Sequence, residues 1–152
     1  MESTGNPASR AQPESFAFAY AAWIIALLAS LGSLFFGEVM KLPPCSLCWY
    51  QRICLFPLPV ILGVGIALRD KHLFLYAMPL VVAGLLLATY HNLIYYGIVA
   101  EALSPCTQGV PCSSRQLEWQ GFIAIPLMAL GAFSAILGCL ITHRRRQRGA
   151  RT

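Results

Sequence analysis

Phe16-Ala17-Phe18-Ala19-Tyr20-Ala21-Ala22-Trp23-Ile24-Ile25-Ala26-Leu27-Leu28-Ala29-Ser30-Leu31-Gly32-Ser33-Leu34-Phe35-Phe36-Gly37 runs without a single formal charge. A helix needs roughly 20 apolar residues to cross a hydrocarbon core of about 30 Å, and this stretch supplies them. Three further blocks follow. The second is Ile53–Leu68, extended outward by Cys48, Trp49, Tyr50, Gln51 and Arg52; the third is Leu73–Ala100, with His91 its ionisable group of note; the fourth is Gly121–Thr142. In lipid the backbone must satisfy its own hydrogen bonds, so the blocks read as α-helices. The period-2 alternation of a membrane β-barrel is absent from the sequence. The expected fold is all-α, an integral membrane bundle of four transmembrane helices. The first block exceeds the roughly 7–15 residues of a signal-peptide core, and removing it would leave three crossings, so it is read as retained.

Composition points the same way. Of 152 residues, 57% are hydrophobic and 11% charged, against about 25% charged in soluble domains. The expected organisation is a tail at 1–15, a four-helix oxidoreductase domain at 16–142 and a basic tail at 143–152. With four spans, both termini and the second connection share one side. That side carries Arg10, Arg69, Lys71, Arg144, Arg145, Arg146, Arg148 and Arg151, and the other only Lys41, Arg52 and Arg115. The excess of basic residues places both termini in the cytoplasm. The net charge of +5 is then mostly a topology signal. The run His143-Arg144-Arg145-Arg146-Gln147-Arg148 reads as an anchor for anionic lipid rather than a nucleic-acid patch, because it directly follows a membrane helix.

This orientation puts two cysteine pairs outside the cytoplasm, where disulfides persist. The first lies in Leu42-Pro43-Pro44-Cys45-Ser46-Leu47-Cys48-Trp49-Tyr50-Gln51-Arg52. Prolines suit a helix start, so Cys45 is expected near the N-cap and Cys48 in the first turn. Unpaired N–H groups and the positive dipole end there favour a thiolate, the species that exchanges with disulfides. Arg52, four residues beyond Cys48, falls on the same helical face. It can snorkel to the headgroups, or stabilise a thiolate or a reduced, anionic electron acceptor. The chain has no Gly-rich dinucleotide fingerprint and no haem-attachment motif. A lipid-soluble quinone, ubiquinone or menaquinone, needs neither, only an apolar pocket with a few polar anchors. Arg52, Gln51 and His91 are the candidates, with a purely structural role the competing reading of His91.

The second pair sits in Ser104-Pro105-Cys106-Thr107-Gln108-Gly109-Val110-Pro111-Cys112, where the prolines and glycine mark turns. Cys106 and Cys112 can close a short exposed loop within reach of a partner protein; a structural staple is the rival reading. Zinc held by all four cysteines is disfavoured, since the second pair is spaced more widely than the usual zinc ligands. The expectation is therefore a chain without a resident metal. Leu117, Trp119 and Phe122 suit the membrane interface. Cys54 and Cys139, inside helices, read as small apolar residues.

Together Pro44–Arg52, Tyr90-His91, Pro105–Cys112 and Leu117–Pro126 resemble the DsbB family of membrane disulfide bond formation proteins, most closely its short-loop BdbC-like branch. The resemblance covers residues 16–142. It implies a thiol:quinone oxidoreductase that reoxidises an extracytoplasmic thioredoxin-fold oxidase of the DsbA or BdbD kind. By it, Cys106 and Cys112 exchange with that partner and electrons pass to Cys45 and Cys48. Cys48 faces the quinone, with Arg52 beside the ring, and a transient Cys45–Cys112 bond joins the two loops. The second pair is more closely spaced here than in the enterobacterial form. A vitamin-K-epoxide-reductase-like enzyme is disfavoured, because there the CxxC follows the loop pair. A membrane scaffold or chaperone with two structural disulfides is the non-enzyme alternative.

Overall fold

The computed structural model describes residues 7–70, 72–99, 112, 118–119 and 123–149. Helix α1 spans Pro7–Leu34 and continues into a π-helical turn over Phe35–Val39; α2 is Ser46–Leu55, α3 Pro57–Ala67, α4 Leu73–Tyr95 and α5 Ile125–Gly149. A two-residue ribbon, β1 (Glu118–Trp119) and β2 (Ile123–Ala124), pairs antiparallel ahead of α5. Among the described residues, four segments are long and apolar enough to cross a membrane: Phe16–Val39, Ser46–Ala67, Leu73–Tyr95 and Ile125–Gly149. These are the four expected crossings.

The second crossing is built from two helices. Pro57 has no N–H to donate and its ring crowds the carbonyl four residues back, so the ladder is interrupted after Phe56. Phe56 N–H still reaches Arg52 O at 2.9 Å, which keeps α2 and α3 roughly continuous. The third crossing is shorter than its apolar block. It stops at Tyr95 because Gly97, at φ +73°, turns the chain back. Gly97 N–H bonds Ile94 O (3.0 Å) and Ile98 N–H bonds Leu93 O (2.9 Å), the paired bonds of a Schellman C-cap.

Packing follows membrane rules. Apolar side chains gain little by leaving lipid for each other, so helices associate where small residues let backbones approach. Ala19, Ala22 and Ala26 are fully buried along one face of α1, which packs on α5 and α3. Trp23 Nε1 donates to Pro59 O at 2.9 Å and ties α1 to α3. Leu31, Val60, Leu75 and Leu86 stay exposed on the outside, the surface lipid would cover. Between α4 and α5, Phe133 packs against Gly84, where an added Cβ would run into its ring. We expect Gly84→Ala to destabilise the bundle by about 1–3 kcal/mol through overpacking, read as a lower thermal midpoint in detergent; an unchanged midpoint would mean the ring has room to move.

The two ends of the bundle differ. At one, Arg144 of α5 lies over the Phe74 ring (4.2 Å) and Arg146 over Phe18 (4.9 Å). The starts of α1 and α4 and the end of α5 therefore meet there. The opposite end gathers Cys45, Leu47, Ile94 and Cys112 into a small buried cluster.

Candidate redox site

Cys45 is the N-cap of α2, with extended backbone (φ −69°, ψ 169°), and its sulfur accepts the Cys48 backbone N–H. Pro43 and Pro44 keep the preceding chain out of the helix, so the pair opens the first turn as its spacing implied. Cys45 and Cys48 are unbonded, their Sγ atoms 2.9 Å apart. The hydrogen bond from the Cys48 thiol, joined by those from His91 and the Cys48 N–H, outweighs burial and draws the Cys45 thiol down to about 4. A thiolate at neutral pH is the attacking form in exchange chemistry. The folded-state value lies below that of a free thiol. The stabilisation from this thiolate is therefore complete above pH 9 and is lost as pH falls towards 4. Alkylation of Cys45 by iodoacetamide, followed by mass spectrometry, should give a rate flat from about pH 6 to 9 in the reduced protein. The profile should climb towards that of a free thiol, about 8.5, in Cys48→Ala. An identical profile in both proteins would show that the Cys48 thiol does not set Cys45 reactivity.

His91, on α4, is 2% exposed and sits between the two cysteine regions. Its Nε2 lies 3.8 Å from Cys45 Sγ and 3.3 Å from the Cys112 carbonyl oxygen. Its Nδ1 is 3.2 Å from Gln51 Nε2, and that same amide nitrogen donates to Leu87 O at 3.5 Å. An amide nitrogen only donates, so Nδ1 accepts and the neutral ring carries its proton on Nε2. The proton points at Cys45 and Cys112. Gln51 thus bonds the ring of His91. Cys112 is buried and disulfide-bonded. Cys106 lies outside the described residues, as do Leu117 and Phe122.

Arg52 points across to α1. Its Nε donates to Ser33 Oγ (2.9 Å) and its Nη2 to Ser33 O (2.6 Å), with the guanidinium 5.4 Å from the Trp49 ring centroid. The π-helical turn begins two residues after Ser33, and such turns open the α-helical ladder. Gly37 in that turn leaves the space Arg52 fills: a Cβ there would stand 2.8 Å from Nη2. Ser33 is a site residue that reading the sequence missed. Its only signal was a hydroxyl within an apolar run, which interhelical bonding commonly explains. Cys54 is buried and Cys139 half-buried, both within helices and away from this group.

Cys45, Cys48, Gln51, Arg52, His91 and Cys112 all line one cavity of about 440 Å³, whose remaining walls are mostly apolar residues of α1 and α5 such as Ile25, Leu28 and Phe133. That volume is in the roughly 300–1,000 Å³ range of small-molecule sites. The apolar wall with a cationic end fits a flat lipophilic molecule with polar oxygens, so the residues present are compatible with a quinone.

A pair of free thiols poised for exchange beside a second, bonded cysteine has one evident chemistry. On a four-span bundle it defines a multi-pass membrane oxidoreductase of disulfide formation. Residues 14–143 match the family described as disulfide bond formation protein DsbB, and the chain belongs to that family. It is 43% identical over 120 residues to disulfide bond formation protein C of Bacillus subtilis (79% of this chain, 87% of the relative). It is 43% identical over 125 residues to a probable disulfide formation protein of Metapseudomonas resinovorans (82% and 87%). A Bacillus anthracis relative, probable disulfide formation protein C 2, is 42% identical over 128 residues (84% and 91%). No solved structure gives a significant match.

Proposed function

We propose that the protein is a thiol:quinone oxidoreductase of the cell membrane that reoxidises an extracytoplasmic thioredoxin-fold oxidase of the DsbA or BdbD type. The observation that carries this is the single cavity shared by Cys45, Cys48, Arg52, His91 and Cys112. Both termini are assigned to the cytoplasm and both cysteine pairs to the outer face. The grouping of Arg144 and Arg146 with the starts of α1 and α4, at the end away from the cysteines, supports that assignment under the positive-inside rule.

The reduced partner's dithiol attacks the disulfide of Cys112, whose other half is assigned to Cys106. Two thiol protons leave the partner as its own disulfide forms. A loop thiolate then opens the Cys45–Cys48 disulfide. Cys45 is the sulfur closest to this exchange, since it shares a buried cluster with Cys112 and both contact His91 Nε2. Attack there forms a mixed disulfide between the loop and Cys45 and expels Cys48 as a thiolate, one helical turn above Arg52. The second loop thiolate then displaces Cys45, which restores the loop disulfide and leaves Cys45 and Cys48 as the reduced pair. His91 holds a proton at Nε2 towards Cys45. A quinone supplies a two-electron, two-proton acceptor; Arg52 would hold its polar edge and the α1 and α5 side chains its ring. The test uses purified protein in detergent with quinone and a reduced thioredoxin-fold dithiol protein. Stoichiometric partner oxidation and quinone bleaching should run together. A scaffold with structural disulfides would give neither, and would hold both pairs at potentials below about −300 mV.

A further inference from the structure

Cys45 Sγ, Cys48 Sγ and a His91 ring nitrogen lie within 4.8 Å of one another. They come from two helices and face the cavity. Around tetrahedral zinc, with Zn–S about 2.3 Å and Zn–N about 2.0–2.1 Å, neighbouring ligand atoms are roughly 3.5–3.8 Å apart. The Cys45–His91 separation of 3.8 Å already has that span. The sulfurs, at 2.9 Å, need to part by about 0.8 Å, while all three ligand atoms already lie within 4.8 Å of one another. Two residues between cysteines is a zinc-ligand spacing. The ligand set differs from the four-cysteine site weighed on sequence alone, because His91 replaces the loop pair.

The surroundings fit as well. A metal-bound histidine nitrogen needs its other N–H satisfied. Gln51 stands at Nδ1 (3.2 Å) and presents its Oε1 if the amide turns over, giving up only the 3.5 Å contact to Leu87 O. Two thiolates neutralise a dication, and the open side of the cavity leaves a fourth position for water. We propose that the reduced Cys45–Cys48 pair and His91 form a binding site for a borderline-soft divalent cation of the zinc type, occupied only in the dithiol state. No electron moves on binding. The Cys48 thiol proton leaves as the second metal–sulfur bond forms, the His91 proton moves from Nε2 to Nδ1 to bond Gln51 Oε1, and the captured dithiol is withheld from oxidation. The site stands whichever electron acceptor the pair serves.

Cobalt(II) is the probe. The full-length protein, stripped of metal, reduced with a phosphine and kept anaerobic in detergent, is titrated with Co²⁺. The expected result is a thiolate-to-cobalt charge-transfer band with the visible bands of a tetrahedral ion, saturating at a single equivalent and bleached by Zn²⁺. Oxidised wild-type protein, with both sulfurs tied in a disulfide, should give no such band. Cys48→Ser should abolish the charge-transfer band, and Gln51→Leu should weaken Co²⁺ binding about 10–100-fold, the range for outer-shell partners. Absence of a thiolate band in the reduced protein would overturn the proposal. So would equal uptake by the oxidised protein, or an unchanged band in Cys48→Ser.

Discussion

Cys48→Ala should stop sustained turnover, lowering steady-state quinone bleaching by roughly 10³-fold or more, while one equivalent of partner dithiol is still oxidised in a burst. The two halves of that result have separate causes. Removing the nucleophile of a unit that acts together costs nearly the whole catalytic effect, and without Cys48 the first pair can form no disulfide for the loop to exchange with. The disulfide at Cys112 is untouched, so a partner can still exchange with it once. The substitution is mild for the fold. Cys48 is half-buried in the first turn of α2, and alanine is the best helix former. Stopped-flow measurement of partner oxidation beside quinone absorbance separates the phases. Turnover at the wild-type rate would refute Cys48 as the donor, and loss of the burst as well would point to a damaged loop.

The sequence made the crossings legible because lipid imposes one rule on every residue of a span: bury the backbone bonds internally and present apolar side chains. Phe16–Gly37 obeys it throughout. The CxxC at a helix mouth was legible for an equally local reason, two prolines followed by an N-cap sulfur. What stayed hidden is pairwise and distant. Nothing in the order of residues says that Gln51 meets His91, 40 positions on, or that Ser33 anchors Arg52 across 19. The break at Pro57 was readable in principle, yet the surrounding apolar run masked it, since proline is tolerated in membrane helices where neighbours compensate. In sequence Arg52 and His91 read alike, as polar anchors for one ligand. Bonding separates them, Arg52 going to α1 and His91 to the cysteines.

That separation makes Arg52→Met the sharper test of how electrons leave. The guanidinium lies a turn below Cys48 and is aimed by Ser33 Oγ and O, so it is fixed rather than snorkelling freely. A charge-assisted hydrogen bond to a buried acceptor is worth about 1.5–3 kcal/mol, so its loss should raise the quinone concentration for half-maximal rate by roughly 10–100-fold. Partner exchange at the second pair, measured without quinone, should hold its wild-type rate, because Arg52 bonds Ser33 of α1 whereas His91 is the residue that reaches Cys45 and the Cys112 carbonyl. Methionine keeps the apolar stem and loses the cation. Arg52→Lys keeps the charge but not the fork that grips Ser33 at two atoms, and should fall between. Ser33→Ala, which removes the hydroxyl partner and leaves the carbonyl, should shift quinone use in the same direction by less. If Arg52→Met slows both steps equally, Arg52 is a strut between α1 and α2. If only the quinone step falls, in the order Met, Lys, Ser33→Ala, the cation acts on the acceptor and the serine acts through it.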